Sequence, residues 1–279
     1  MTEHIQFERA ADLIASADGL IITAGAGMGV DSGLPDFRGS GGFWGVYPAL
    51  GRARIRFEEI ANPSAFISHP RLAWGFYGHR LNMYREVDPG PAFGILRDIA
   101  RRLRNDCFVF TSNVDGHFQK AGFDRDRVIE CHGSIHHLQC LKRCKSGIWP
   151  ASTFRPSIDE NASELLGDLP ACPRCGGLAR PNILMFGDFG WLEDRTSQQW
   201  ERLALWRQAV ERPVVIEIGA GLAVPSVRRF SEMQSRPLIR VNPDEPGVPL
   251  PTDVALRMGA TQAVRGIRDA LLTHGFFAD

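Results

Sequence analysis

The most constraining feature of the sequence is an apolar run that leads directly into a glycine-rich turn. Residues 20–24 read Leu-Ile-Ile-Thr-Ala, which has the length and β-branched content of a buried parallel strand. Gly25, Gly27 and Gly29 follow at once. Because glycine lacks a Cβ atom, the backbone there can turn sharply and bring N–H groups close to a pyrophosphate. An ordinary glycine turn fits the same pattern, so this feature alone indicates only a strand that feeds a candidate phosphate site.

The turn departs from the dinucleotide fingerprint of the common dehydrogenases. That fingerprint, Gly-x-Gly-x-x-Gly, needs a third glycine at position 30, which is Val30 here. It also needs an acidic residue about twenty positions further on. Residues 40–57 contain neither Asp nor Glu. The sequence therefore disfavours a conventional Rossmann dehydrogenase.

Several later strands are predicted to end in polar or glycine residues in the same way. The predicted strands are residues 107–111, 127–131, 213–218, 238–241 and 254–258. The segments that follow them are 112–115, 132–133, 219–222, 242–244 and 259–260. Ligand-binding residues of open parallel sheets lie just past the carboxyl ends of the strands. These segments are therefore predicted to form one nucleotide site.

Amphipathic patterns between the strands predict helices over residues 5–17, 69–85, 93–104, 201–210 and 262–274. Alternating strands and helices predict an α/β fold with a Rossmann-like, doubly wound parallel sheet. Within it, Gly41 to Trp44 is predicted to be a mobile, aromatic-tipped segment that closes over a ligand, or else a surface loop with anchoring aromatics. Residues 146–171 are expected to be rich in loops, and residues 180–188 are expected to return to the main sheet.

Four of the six cysteines have the spacing of a metal site. Cys140 and Cys144 form a C-x3-C pair, Cys172 and Cys175 form a C-x2-C pair, and 27 residues lie between the pairs. With no export signal expected, this spacing favours a zinc site built from two knuckles over disulfides or free thiols. Four thiolates leave no open coordination position, so the predicted zinc is structural.

Charge and hydropathy argue against two classes of partner. The 32 basic residues equal the 32 acidic residues in number, so no basic footprint for nucleic acid is expected. The first 13 residues lack the basic and apolar regions of a signal peptide, and no run approaches 18 apolar residues. We therefore expect a cytoplasmic protein without a membrane or nucleic-acid partner. The oligomeric state is left open.

The residues that continue the glycine turn resemble a known family. Residues 25–39 read GAGMGVDSGLPDFRG, which is similar to the cofactor loop GAGxSxxSGIPDFRG of the sirtuins, the NAD-dependent protein deacylases. Five further motifs occur in the order that the family has them: SNVD at 112, HG at 132, RPNILMFGD at 180, GAGL at 219 and VNPD at 241. Together with the zinc-spaced cysteines, the resemblance covers most of the chain.

The resemblance implies that NAD is a co-substrate and that one structural zinc is bound. Its implied catalytic residues are His132, as general base toward a hydroxyl of the nicotinamide ribose, with Asn113 and Asp115. A structural histidine and a helix cap are the alternative explanations for these residues. The implied NAD contacts are Gly25, Ala26, Gly27, Asp36, Phe37, Arg38, Ser112, Asn113, Asp115, Gly219, Ala220, Gly221, Asn242, Pro243 and Ala260.

Two pairs of residues resemble substrate-binding positions of the family. Tyr77 and Arg80 match a Tyr-x-x-Arg of sirtuins that remove acidic acyl groups such as succinyl or malonyl, and an arginine fork suits a carboxylate. Without the resemblance they would be a surface hydrogen bond. Phe186 and Gly187 lie in the segment whose backbone pairs with an extended substrate peptide in the family. An ordinary buried strand and turn would give the same pattern.

The implied reaction converts an acylated lysine of a protein or peptide and NAD into lysine, nicotinamide and acyl-ADP-ribose. Gly29, Ser112 and Gly221 differ from the family at cofactor positions, so two alternatives stay open. One is an ADP-ribosyltransferase or NAD glycohydrolase on the same fold, and the other is a silent NAD- or peptide-binding module. We expect one catalytic domain over 1–279, made of a Rossmann-like part (1–40, 89–135 and 180–279), a helical insertion (41–88) and a zinc-binding insertion (136–179).

Overall fold

The computed structural model describes residues 2–35, 39–234 and 236–278. In chain order its helices are α1 Glu3–Ala15, α2 Gly27–Val30, α3 Gly39–Val46, α4 Pro48–Arg52, α5 Phe57–Ile60, α6 Pro63–Ser68, α7 Pro70–Glu86, α8 Pro91–Ala100, α9 His117–Lys120, α10 Asp194–Ala209, α11 Ser226–Met233 and α12 Ala260–Thr273. Its strands are β1 Gly19–Ala24, β2 Cys107–Thr111, β3 Val128–Glu130, β4 Gly133–Cys140, β5 Ile148–Pro150, β6 Ser157–Asp159, β7 Glu164–Leu166, β8 Ala179–Ile183, β9 Pro213–Ile218, β10 Leu238–Val241 and β11 Val254–Leu256.

The main sheet confirms the predicted Rossmann-like fold. Its six strands lie in the order β11-β10-β9-β1-β2-β3, and every pair is parallel. After β1 the chain builds β2 and β3 on one side, and it later crosses to build β9, β10 and β11 on the other. The order therefore reverses between β1 and β9, where Ala24 is level with Thr111 and Ile218. This is the point at which open α/β sheets form a ligand crevice.

Helices cover both faces of this sheet and bury β1 along its whole length. Leu20 and Ile22 face a core that α1, α8 and α12 complete, whereas Ile21 faces the opposite core under α10 and α11. This alternation is the two-residue period of a strand. On the second face, Phe110 of β2 stacks on Phe230 of α11 with ring centres 3.9 Å apart. Both layers are therefore fixed against the strands that lead to the crevice.

A second region of the protein combines helices α3 to α7 with two small sheets. The antiparallel strands β5-β4-β8 form one sheet and β6-β7 the other. An aromatic core joins these elements, and its largest fully buried members are Trp74, Phe76, Tyr77, Phe43 and Phe66. The helical insertion and the zinc-binding segment thus share one core. None of the helices in the described ranges has both the length and the apolar character needed to cross a bilayer.

Several local predictions are corrected by the structure. The segment from Gly41 to Trp44 belongs to helix α3, where burial of Phe43 overrides the low helix propensity of its glycines. Residues 146–171 are rich in loops, as expected, and also contain three short strands. Strand β8 pairs antiparallel with β4 and does not rejoin the main sheet. Helix α10 begins at Asp194, seven residues before the predicted start, because the buried face of its first turns carries the polar Thr196 and Gln199.

Candidate active site

The loops that follow β1 and β9 touch each other at the crevice. The N–H of Gly25 donates to the Ile218 carbonyl at 3.0 Å, and the N–H of Gly27 donates to the Gly219 carbonyl at 3.1 Å. A Cβ atom at Gly25 would lie 2.6 Å from the Gly219 oxygen, and one at Gly27 would lie 2.7 Å from the Gly219 Cα. These glycines are thus required by the close approach of two backbones. Within the described ranges, the N–H groups of Ala26 and Gly221 have no hydrogen-bond partner, so they can donate to an anion.

A cavity of about 760 Å³ opens at this point. It brings together twelve of the predicted site residues, namely Gly25, Ala26, Tyr77, Arg80, Ser112, Asn113, Asp115, His132, Phe186, Gly219, Ala220 and Gly221. Both the volume and the mixture of apolar walls with a few polar groups are typical of a cofactor or substrate site.

The remaining predicted residues lie outside the cavity wall. Gly27 is behind it, Gly187 forms the adjoining turn at φ 63°, and Pro243 and Ala260 do not line it. Asn242 is buried, and its amide donates to the Ala220 carbonyl at 2.9 Å while its oxygen accepts the N–H groups of residues 244 and 245. It shapes the cavity wall without facing it. The predicted contacts Asp36, Phe37 and Arg38 lie outside the described residues.

His132 lies at the junction of β3 and β4 with its ring at the cavity. Its Nε2 is 3.1 Å from the Ser226 hydroxyl. Burial is the larger influence on the ring and lowers its pKa, whereas a backbone hydrogen bond with Ser112 acts in the opposite direction. The imidazole is therefore neutral at neutral pH and can accept a proton, as a general base requires.

Asn113 and Asp115 lie on the loop after β2, beside His132. The amide of Asn113 donates to the Gly25 carbonyl at 3.0 Å and so ties this loop to the glycine turn. Asp115 accepts the N–H of His117 at 2.9 Å, an Asx-type turn that precedes α9. The N-cap of α9 is Gly116, and no side chain caps the helix, so Asp115 is not its cap. Burial raises the pKa of the Asp115 carboxyl group, which lies in the cavity wall.

Arg80 and Tyr77 form the inner end of the cavity together with Tyr84. The guanidinium donates from Nε and Nη2 to the Tyr84 hydroxyl at 3.0 and 2.7 Å. It also lies 5.2 to 5.9 Å from the ring centres of Phe76, Tyr77 and Tyr84. The aromatic rings and the phenol oxygen hold the buried guanidinium in the cavity wall, and a guanidinium is a good hydrogen-bond donor to an anionic ligand.

The four zinc-spaced cysteines converge in the second region. All four sulfur atoms lie within 4.8 Å of one another, with Cys140 to Cys175 at 3.7 Å and Cys144 to Cys172 at 3.4 Å. Disulfide sulfurs lie about 2.05 Å apart, so these cysteines are not paired as disulfides. A tetrahedral site with Zn–S bonds of about 2.3 Å needs sulfurs about 3.8 Å apart. The thiolates thus fit one structural zinc.

The sequence was compared with known families and proteins. A model of the Sir2 family matches residues 25–226. The chain belongs to the Sir2 family. Curated relatives of this Sir2-family protein include an NAD-dependent protein deacylase of Pyrococcus abyssi (strain GE5 / Orsay), 32% identical over 252 residues that cover 88% of the chain and 90% of the relative. NAD-dependent protein deacylase 1 of Archaeoglobus fulgidus is 29% identical and covers 95% and 99%.

Solved structures are also similar to this Sir2-family chain. The crystal structure of a Sir2 homolog–NAD complex superposes with a TM-score of 0.69 at 28% identity, covering 94% of this chain and 93% of the other. A mutant Sir2 homologue in complex with ADP-ribose has a TM-score of 0.68 at 27% identity and covers 98% of each chain. Both similarities extend over the fold and the cavity described above.

The cavity of this Sir2-family protein has residues that the sequence did not single out. They are Tyr84, Glu58, the exposed residues 223–224 and Glu245 in its wall, and Ser226 behind it on His132. Glu245 comes one residue after the predicted segment 242–244, so its place after a strand end could have indicated it. Tyr84 and Ser226 had no such indication, because their partners are set by tertiary packing.

Proposed function

We propose that this Sir2-family protein is an NAD-dependent protein-lysine deacylase. The single observation that carries the proposal is that His132 and the joined loops after β1 and β9 line one cavity. Relatives that match over nearly the whole chain are NAD-dependent protein deacylases. The reaction consumes acyl-lysine, NAD and water, and yields lysine, nicotinamide and acyl-ADP-ribose.

NAD supplies the ribosyl group that receives the acyl group when nicotinamide leaves. The chain's own contribution begins with the donors for its diphosphate, which are the N–H groups of Ala26 and Gly221 on the two joined loops. Asn113 holds the glycine turn in place through the Gly25 carbonyl. His132 takes a proton at Nε2, which its lowered pKa leaves unprotonated at neutral pH.

The segment after β8 supports binding of the substrate peptide. The N–H groups of Leu184 and Phe186 donate to the carbonyls of His132 and Ala61, at 2.9 and 3.0 Å. Within the described part of the chain, the N–H of Gly187 has no such partner. We therefore assign Gly187 as the donor to an extended peptide, with the exposed Phe186 ring beside the acyl-lysine.

The inner end of the cavity supports a preference for acidic acyl groups. Arg80 is buried, faces the cavity and is oriented by the Tyr84 hydroxyl. A carboxylate at the end of a succinyl or malonyl chain would accept charge-assisted hydrogen bonds from this guanidinium. An acetyl group has no such carboxylate, so it cannot make these bonds.

Acyl preference is tested with matched acetyl-, malonyl- and succinyl-lysine peptides and mass spectrometry. We expect Arg80→Met to lower kcat/KM for the acidic acyl peptides by about 100-fold, because a bidentate contact is lost, with acetyl turnover retained. Arg80→Lys keeps the charge without the fork and serves as the matched control, with an intermediate loss. An equal loss for all three acyl groups would contradict the assignment.

The reaction itself is tested by the nicotinamide that the protein releases. Nicotinamide release from NAD should depend on the acylated peptide and should be matched by the deacylated product, one to one. His132→Ala should lower formation of this product by at least about 100-fold. Rapid nicotinamide release without peptide, or ADP-ribose attached to protein, would instead indicate a glycohydrolase or a transferase.

A further inference from the structure

His132 is joined to a residue from a distant part of the chain. Ser226, the first residue of α11, is 94 positions away in sequence, yet its hydroxyl lies 3.1 Å from His132 Nε2. His132 follows the edge strand β3, and α11 follows β9, three strand positions away in the sheet. At about 4.8 Å per strand, the two backbones start about 14 Å apart. The contact therefore joins opposite sides of the crevice.

The histidine side of this contact has a fixed backbone. The His132 carbonyl accepts the N–H of Leu184 at 2.9 Å. The next residue, Gly133, has φ 77°, and a Cβ atom there would lie 2.1 Å from the Asn182 oxygen. These contacts hold the turn between β3 and β4 against the segment after β8, with the imidazole at the cavity.

The serine side is fixed by helix α11. Arg228 donates to the carbonyls of Ala220 and Glu245 at 3.0 and 2.8 Å, which ties the helix to the turn after β9. Ser231 is 2.8 Å from the Thr23 hydroxyl of β1. Because both partners are anchored, the contact between Ser226 and His132 is part of the folded framework and not an encounter of two mobile side chains.

We propose that Ser226 is a positioning residue for His132, whose hydroxyl holds Nε2 at the cavity and accepts the N–H that forms there when the histidine takes a proton. The proposal rests on the deacylase function above. In the proton transfer the substrate O–H takes the place of the serine O–H at the single lone pair of Nε2. The substrate O–H bond then breaks as an N–H bond forms, the positive charge remains on the imidazole, and the new N–H donates to the Ser226 oxygen once the substrate oxygen has bonded elsewhere. A serine hydroxyl suits both states because it donates to a neutral nitrogen and accepts from a protonated one.

The environment of the ring explains why such a partner is needed. Titratable groups on the neighbouring segments are Glu130, paired with Arg195, and Cys131 and Asp115, whose pKa values burial raises. Burial likewise disfavours the protonated imidazole. A hydrogen bond to a charged group is stronger than one to the neutral form, so Ser226 stabilises the protonated ring more than the neutral ring. Its hydroxyl therefore keeps His132 basic inside the cavity.

The proposal is tested with Ser226→Ala, the conservative variant Ser226→Thr, and Ser231→Ala as a matched control. Ser231 lies on the same helix and its hydroxyl bonds Thr23, so its removal perturbs α11 without touching His132. In the ligand-free protein, NMR titration of the imidazole signals gives the pKa of His132, which is assigned by its absence in His132→Ala. We expect Ser226→Ala to lower this pKa by about 0.7 unit. Ser226→Thr should restore the pKa, and Ser231→Ala should leave it unchanged.

Turnover provides the second readout. We expect Ser226→Ala to lower kcat about 10-fold with little change in KM for NAD, since a weaker and less oriented base slows proton transfer. Ser226→Thr should recover most of the rate. An unchanged or raised His132 pKa in Ser226→Ala, or an unchanged kcat, would overturn the proposal. If the wild type had no deacylase turnover, the proposed function would fail and the titration alone would decide the role of Ser226.

Discussion

The ionisation of His132 has a direct consequence for activity. Burial, its larger cause, holds the pKa of the ring below the ordinary 6.5 despite the backbone contact with Ser112. A general base works in its neutral form, which is present above the pKa and is lost as pH falls through it. We expect kcat/KM to rise with pH along a limb centred below 6.5 and then level off, in deacylation assays from about pH 5 to pH 8. A limb centred above 6.5 would contradict this environment.

The close approach of the two loops makes the glycine turn sensitive to a single methyl group. Gly27→Ala would place a Cβ atom 2.7 Å from the Gly219 Cα, which neither backbone can avoid without shifting. We expect a loss of about 2 kcal/mol in the free energy of unfolding, measured by denaturant titration. Gly221→Ala is the matched control for stability, because a Cβ atom there meets nothing within 4 Å. Equal stability of the two variants would argue against the contact.

Residues of the cavity differed in how far the sequence could predict them. The glycines of the first turn and His132 follow apolar runs, so strand-end position predicted where they lie, whereas the family resemblance supplied the role of His132. Ser226 and Tyr84 could not be found in this way. Tyr84 lies in the cavity wall, where its hydroxyl accepts a hydrogen bond from the buried Arg80. Ser226 contacts His132 although the two are 94 residues apart in sequence. Such contacts depend on packing, which a local pattern does not report.

At the level of secondary-structure elements, a buried ionic network joins β9, β10 and α11 beneath the cavity. Arg240 contacts both oxygens of Glu217, at 2.6 and 3.1 Å, and Glu232 at 2.8 Å. We expect Arg240→Met to cost about 3–5 kcal/mol of unfolding free energy, because it leaves Glu217 buried with only the Arg228 guanidinium nearby, at 3.8 Å. Adding Glu217→Leu should recover much of this loss in thermal or denaturant unfolding. No recovery in the double variant would mean that packing, not charge, determines the cost.

The elements also differed in their predictability for a physical reason. Strands β2, β9 and β10 were predicted to the residue, because each is a fully buried, mainly apolar run with clear boundaries. The start of α10 was missed because its first turns bury polar groups. There the Gln199 side chain accepts the N–H of Glu130, and Thr196 donates to the Glu130 carbonyl. A hydrophobic period cannot indicate a helix face that is held by hydrogen bonds.

At the scale of the whole molecule, the sequence predicted the parallel sheet but not the connection between its two regions. Strand β8 was expected in the main sheet and pairs instead with β4, in antiparallel register from Gly133 with Ile183 to Cys140 with Ala179. Antiparallel and parallel strands have the same residue preferences when both faces are buried. The partner of β8 is therefore a property of the folded chain, and it joins the zinc cluster to the segment that leads to His132.

This connection predicts how loss of zinc affects function. Cys140 ends β4 and Cys172 with Cys175 precede β8, so metal removal should loosen both strands and the peptide segment after them. The glycine turns lie on the main sheet and should retain NAD. We expect elemental analysis to find one zinc per chain. Chelation should lower the melting temperature and abolish deacylation, and added zinc should restore turnover. Calorimetry should show that the NAD affinity of the zinc-free protein stays within about threefold of that of the zinc-bound protein. Parallel loss of NAD affinity and turnover would mean that the zinc region supports the whole cavity and not the peptide side alone.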